Sequence, residues 1–341
     1  MPARRRPLDV VGPLLRSSAF ARLVGFLEAV PTAGRLAVLT YHRVDEPDGA
    51  PLLYPGLLSA TPAEFEEQMK FVATRYRPIS LADLLEVRRG RLKLPPRAVL
   101  VTFDDAYRDF AEHAWPRLRK LGVPVTLFVA TAYPDRPTLA FWWDRLWGAL
   151  TLAPPGAQVE IPDGQTVLAT EDDRMRGYRS LRRHLKTLPD DRLQGELERL
   201  VGRFEQPTGT SPVLGWDELR ALAGEGVALA PHTRTHPLLV RVPLERVREE
   251  IVGSLEDLER EIGTAQPVLA YPSGGVSDAV VDVVREAGFE LAFSTKRGNN
   301  HIGQADWLRL RRIHVSRRFG LPAVRAQLLP WWDRLGREAG G

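Results

Sequence analysis

Two short stretches, Thr102-Phe103-Asp104-Asp105 and His232-Thr233-Arg234-Thr235-His236, put paired carboxylates and two imidazoles into one chain. Carboxylate oxygen and imidazole nitrogen are ligands that a divalent cation accepts, and a carboxylate left over can take a proton. The chain has no cysteine, so disulfides and thiolate ligation are excluded and any metal must be held by His, Asp or Glu. Asp-Asp alone is also what a solvated loop or helix cap shows, and His-x-x-x-His spacing is often accidental. A helical turn over 232–236 would set both imidazoles on one side, and Pro237 limits how far a helix could continue. Taken together, the two stretches make a consistent set of two histidines and one aspartate, with positions open for water and substrate.

Both stretches follow apolar runs. Leu36–Tyr41, Ala98–Phe103, Pro124–Ala130, Gly226–Pro231, Pro267–Tyr271, Glu290–Ser294 and Leu308–Val315 read as seven buried strands. Amphipathic helices fit between them, over Pro62–Tyr76, Asp109–Leu121, Trp216–Glu225, Leu244–Ile262 and Ser277–Ala287. This alternation implies an α/β fold with a mostly parallel sheet, either open or closed into a barrel. Catalytic groups collect on the loops after such strands, where Asp104, Asp105, His232 and His236 stand. The alternation fails over residues 131–211, which read as an inserted helical subdomain opening on Phe141-Trp142-Trp143-Asp144-Arg145-Leu146-Trp147. That aromatic cluster suits either stacking on a sugar ring or pinning the insertion to its domain. The divisions expected are an N-terminal amphipathic helical segment at 1–35, a barrel at 36–130 and 212–320, the insertion at 131–211, and a C-terminal tail at 321–341.

The formal net charge of +4 is unevenly spread, because residues 1–22 carry five arginines and residues 309–341 carry eight. Basic ends around an acidic body fit a solvated surface, and no nucleic-acid partner is expected from them. The apolar positions from Leu8 to Val30 suit an amphipathic helix that packs on the domain or makes peripheral membrane contact. Charges at Asp9, Arg16 and Arg22 interrupt any signal-like apolar core, so a cytoplasmic location is the expectation. Oligomeric state is not legible.

Thr102–Asp105, His232–His236, the segment Leu269-Ala270-Tyr271-Pro272-Ser273-Gly274-Gly275 and Tyr41-His42-Arg43-Val44 together resemble the polysaccharide deacetylases, also called the NodB-homology domain or carbohydrate esterase family 4. The likeness is nearest to a bacterial branch carrying YHRV, TFDD and HTxTHP motifs and linked to exopolysaccharide production. It spans about residues 36 to 315, interrupted by the insertion. The resemblance implies a distorted seven-stranded (β/α) barrel and metal-dependent removal of an N-acetyl group from an amino sugar of a glycan or glycan precursor. It further implies Asp104 as general base, Asp105, His232 and His236 as ligands of a divalent metal, and the Ser273 N–H as oxyanion donor. Zinc is the first expectation for the metal, with cobalt and nickel as alternatives. Two positions depart from the family pattern. Ala270 stands where the family has an arginine that orients the base, and no clear copy of the histidine acid motif follows. Candidates for the acid are His42, His314 on a strand whose alternation could turn it from the site, and His301 in the loop before. Hydrolysis of another non-peptide amide on the same scaffold, and a catalytically silent metal-containing glycan binder, are the alternatives these departures leave.

Overall fold

A segment such as Val99-Leu100-Val101-Thr102-Phe103 is apolar on both faces, so it is stable only when both are covered, as in a parallel sheet flanked by helices. The computed structural model shows this arrangement for residues 34–136, 139–204, 211–317 and 320–329; the expected N-terminal amphipathic helix lies outside these described residues. Seven strands form the path of the main sheet, with two short strands, Arg77–Pro78 and Asn300–His301, paired beside it. The seven are β1 (Arg35–Tyr41), β2 (Ala98–Asp104), β3 (Val125–Val129), β4 (Ala228–Pro231), β5 (Val268–Ala270), β6 (Leu291–Arg297) and β7 (Leu310–His314).

Their order across the sheet is β5-β6-β7-β1-β2-β3-β4, with every ladder parallel. The path begins and ends on strands that are consecutive in sequence. The sheet therefore curls into a nearly closed barrel with one seam, between β4 and β5.

Strand alternation sorts the side chains into an interior and an exterior. Leu36, Val38, Leu100, Phe128, Val268, Phe293 and Leu310 form the interior cluster. Ala37, Leu39, Val99 and Val101 point outward and pack with Phe65 and Met69 of helix α1 (Pro62–Arg75). Continued toward the C-terminal ends, the inward parity reaches Thr40 and Thr102, whose hydroxyls lie 3.2 Å apart, and then Asp104 and Arg312.

The helices start and stop where local chemistry allows. Thr61 caps α1 in a reciprocal capping box with Glu64, and Ser80 does the same with Asp83 for α2 (Leu81–Arg88). A π-turn at Phe110–Ala114 runs into α3 (Trp115–Leu121), which ends on Gly122 in the left-handed region.

The insertion after β3 holds α4 (Trp142–Leu152), α5 (Glu171–Leu185) and α6 (Asp190–Val201) around its own cluster of Leu146, Leu150, Leu181 and Leu197. It also contains a hairpin, Gln158–Ile161 against Gly164–Val167, which a wholly helical reading does not include. Asp144 ties the insertion to the barrel, accepting from the Tyr107 hydroxyl at 2.6 Å and the Tyr54 N–H at 2.8 Å. The remaining elements are α7 (Trp216–Gly224), α8 (Leu244–Ile262), α9 (Asp278–Glu286) and α10 (Gly320–Leu328). The last stands where a tail was expected and sets Val324 and Leu328 into the outer cluster. Among the described residues, no helix is long and apolar enough to cross a membrane.

Because Leu100 is fully buried inside the barrel, Leu100→Ala should lower unfolding stability by about 2–5 kcal/mol, seen as a shifted urea midpoint with unchanged slope. Leu92→Ala, at an exposed site, should stay within about 0.5 kcal/mol of the parent.

Candidate active site

At the C-terminal mouth of the barrel a cavity of about 350 Å³ is lined by His42, Asp104, Asp105, His232, His236, Ser273 and His314, with Trp143, Arg182 and Lys186 from the insertion. Seven of the eight residues singled out in the sequence therefore meet at one place. His301 does not: it pairs with Arg35, the first residue of β1, at the opposite end of the strand from the site.

Asp104 is the last inward residue of β2. Its Oδ1 accepts from Arg312 Nη1 at 2.7 Å, and the two side chains are 3% and 1% exposed. Arg312 is itself fixed by donation from Nε to the Ser294 carbonyl at 3.0 Å. Burial alone would push the Asp104 carboxyl up, but Arg312, with His232 and His42, holds it well below the usual carboxylate range. Oδ2 is left facing the cavity, 3.9 Å from His232 Nε2 and 4.0 Å from His42 Nε2.

Asp105 follows with φ of 74°, in the left-handed region, which turns its side chain into the same cavity instead of the opposite face of the strand. Burial, then the neighbouring charges of Asp104 and Asp144, push its carboxyl well above the ordinary value. Its Oδ1 is buried without a hydrogen-bond partner, 3.5 Å from His232 Nε2 and 3.4 Å from His236 Nε2.

The two histidines do not meet by a helical turn, as their spacing suggested. Residues 232–236 form a loop in which Thr233 and His236 both take positive φ, 66° and 58°, and the rings meet edge to face with centroids 4.7 Å apart. The loop is held by Glu250 of α8, which accepts from the N–H groups of Arg234 and Thr235 at 2.9 and 2.8 Å. Thr233 Oγ1 accepts from the His236 N–H at 3.0 Å.

His232 stands directly after β4, and its Nδ1 lies 2.7 Å from the Ala270 carbonyl at the end of β5. That contact spans the barrel seam. A carbonyl can only accept, so Nδ1 carries the proton and Nε2 keeps its lone pair for the cavity. Burial lowers the pKa of both imidazoles, His236 further than His232, which keeps them neutral and able to ligate.

The donor set thus fits a divalent cation. One carboxylate oxygen and two imidazole nitrogens, all buried, lie within 4.8 Å of one another, and an orphaned buried carboxylate oxygen needs a positive partner. Trp143 and Phe141 close one side, Trp143 meeting the His236 ring at 4.8 Å and stacking on Phe141 at 4.5 Å. Trp143 Nε1 donates to Tyr107 Oη at 3.0 Å, so this tryptophan both pins the insertion and walls the cavity.

Ser273 takes φ of 50° in the turn after β5. The turn is closed by the N–H groups of Gly274 and Gly275, and the Ser273 N–H lies outside both bonds. Gly274 cannot be replaced cheaply, because a Cβ there would sit 1.8 Å from Thr295 Oγ1.

His314 shares the inward parity of Arg312, so alternation points it toward the site and not away. Its ring lies 6.4 Å from that of His42. Burial lowers His42 to about 4 and His314 to about 3. Arg312, which sequence reasoning missed, supplies from β7 the guanidinium that Ala270 cannot.

The family described as polysaccharide deacetylase matches residues 91–292. The chain belongs to the polysaccharide deacetylase family. Among curated proteins this deacetylase-family chain is 24% identical over 234 residues to the poly-β-1,6-N-acetyl-D-glucosamine N-deacetylase of Escherichia coli K12, a stretch covering 68% of this chain and 30% of that one. The chain therefore spans less than a third of that relative's length. Among solved structures, Streptococcus pyogenes deacetylase PplD in complex with acetate aligns with a TM-score of 0.60 at 16% identity, over 88% of this chain and 100% of that one. IcaB from Ammonifex degensii aligns at 0.56 and 20% identity, over 88% and 97%. These likenesses establish the deacetylase barrel fold.

Two outcomes follow for this site. Arg312→Met strands Asp104 and should cost about 3–5 kcal/mol at pH 7 by urea unfolding. In the parent, the depressed Asp104 pKa contributes stability present above the unfolded value near ~4 and lost as pH falls through the folded value. In the variant burial loses its largest opponent and the Asp104 contribution shrinks or reverses, so the stability gap should widen from pH 4 to pH 7. Zinc at about 100 times its dissociation constant should stabilise the metal-stripped parent by about 2.7 kcal/mol, read as a thermal shift that His236→Ala abolishes.

Proposed function

We propose that this protein removes acetyl groups from N-acetylated amino sugars of a polysaccharide or glycan precursor, with a divalent cation, zinc first, held by Asp105, His232 and His236. The observation that carries the proposal is the division of labour between adjacent aspartates: Asp104 is paired to Arg312, while Asp105 presents an unpartnered oxygen to two imidazoles. Family membership and the E. coli relative support an N-acetylglucosamine polymer linked β-1,6 as the substrate to test first.

A cation bound there supplies Lewis acidity to the acyl oxygen and to the attacking water. The protein supplies the proton handling. Asp104 is ionised at neutral pH, and because Arg312 occupies Oδ1, Oδ2 is the oxygen that accepts the proton of the attacking water. His42 Nε2, 4.0 Å away, is placed to pass a proton onward to the leaving amine. Its lowered pKa keeps it neutral at rest, so it delivers a proton only after receiving one. His42 takes this part ahead of His314, whose Nε2 is buried with no hydrogen-bond partner. The Ser273 N–H, free of the turn's own hydrogen bonds, is the donor for the developing oxyanion, a contact worth about 2.7–4 kcal/mol in the transition state.

Acetate release from β-1,6-linked N-acetylglucosamine oligomers should require added zinc or cobalt after metal stripping. It should fall by about 10²–10⁴ in Asp104→Asn and in His42→Ala, the range for a lost proton-transfer group. Equal release by stripped and metal-loaded protein would overturn the assignment.

A further inference from the structure

The insertion does more than cover the site. Helix α5 brings Arg182 to the cavity wall, with Lys186 one turn on at its C-cap, and β6 adds Arg297. The carboxylates lining the same cavity are Asp104 and Asp105, the first committed to Arg312 and the second to the histidine pair. Neither Arg182 nor Lys186 forms an ion pair among the described residues. Lys186 Nζ reaches only a neutral partner, Ser273 Oγ at 3.2 Å. Arg182 lies over the Tyr54 ring at 5.5 Å, and its Nε is buried without a hydrogen-bond partner.

Like charges at this helical spacing repel. Burial, with the Arg182 charge, lowers Lys186 to about 8, so it still carries its charge at neutral pH but at a cost. Two cations held together beside an acetyl-hydrolysing centre, with Asp105 acting on Lys186 only through space and neither cation in an ion pair among the described residues, are stabilised further by an anionic ligand. A neutral glycan offers them hydrogen-bond acceptors but no counter-charge.

We propose that Arg182 and Lys186 bind an anionic group on the sugar, so that the preferred substrate is an acidic N-acetylated amino sugar: a glycosyl phosphate, as in a carrier-linked precursor, or a carboxylate-bearing residue. The proposal rests on the deacetylase reading only for the neighbouring N-acetyl sugar. The insertion thereby sets specificity, while the barrel performs the hydrolysis.

The test is binding by titration calorimetry to the full chain with EDTA present, so that a phosphate oxygen has no cation to ligate. N-acetylglucosamine, N-acetylglucosamine 1-phosphate and N-acetylglucosaminuronic acid serve as probes. At least one acidic probe should bind about tenfold more tightly than the neutral sugar, the gain from a charge-assisted contact, and the better of the two distinguishes phosphate from carboxylate. The preference should vanish in Lys186→Gln and in Arg182→Gln, which alter partly exposed positions, and persist in Lys186→Arg. Equal affinity for all three probes, or an unchanged preference in both glutamine variants, would overturn it. Failure here is separable from failure of the deacetylase reading. Acetate release from neutral oligomers without acidic preference removes only the anion site, whereas acidic preference without acetate release under any metal removes only the hydrolysis.

Discussion

Inside the barrel a guanidinium and a carboxylate, both almost wholly buried, meet at 2.7 Å, and the two adjacent aspartates take their different characters from that contact. A charge this deep is sustained only by a well-placed partner. Arg312 has one in Asp104, and its Nε is separately satisfied by the Ser294 carbonyl. With Arg312 in place, Asp104 stays ionised and keeps one oxygen toward the cavity. Asp105, one residue on, has no such partner and is pushed toward protonation by burial and by Asp104 itself. The same Asp-Asp dipeptide thus yields a permanent carboxylate and a carboxyl that a divalent cation can ionise by displacing its proton.

The barrel seam contributes the second constraint. β4 and β5 end the sheet path without a ladder between them, and the His232 contact to the Ala270 carbonyl bridges their ends. One hydrogen bond therefore ties a ligand's tautomer to the closure of the fold. The position that lacks the family's arginine serves this contact through its backbone, which any side chain would permit, while the guanidinium enters from β7, two strands along the sheet from β5.

Much of this was legible in the sequence because the strands are continuous apolar runs, and the chemistry follows two of them directly. Asp104, Asp105, His232 and His236 could be named since the residue types themselves are the signal. The conformation joining the histidines could not, because the spacing of a helical turn is matched by a loop with left-handed residues at Thr233 and His236, and that loop depends on Glu250 from a helix further along the chain. Arg312 was hidden among the arginines of β7, although its parity with Leu310 marks it as inward. The same parity fixes His314. The hairpin of the insertion also had a signal, Pro162-Asp163-Gly164, turn residues of which the glycine opens the second short strand. Lys186 had none, since only the folded insertion brings it to a turn 87 residues distant in sequence.

The most direct test of the account is anomalous diffraction at the zinc edge from crystals of the full chain grown with zinc. A single strong peak bonded to Asp105 Oδ1, His232 Nε2 and His236 Nε2, with Asp104 still paired to Arg312, is the predicted result. A cation ligated by Asp104, or a zinc peak elsewhere with this cavity unbound, would contradict it.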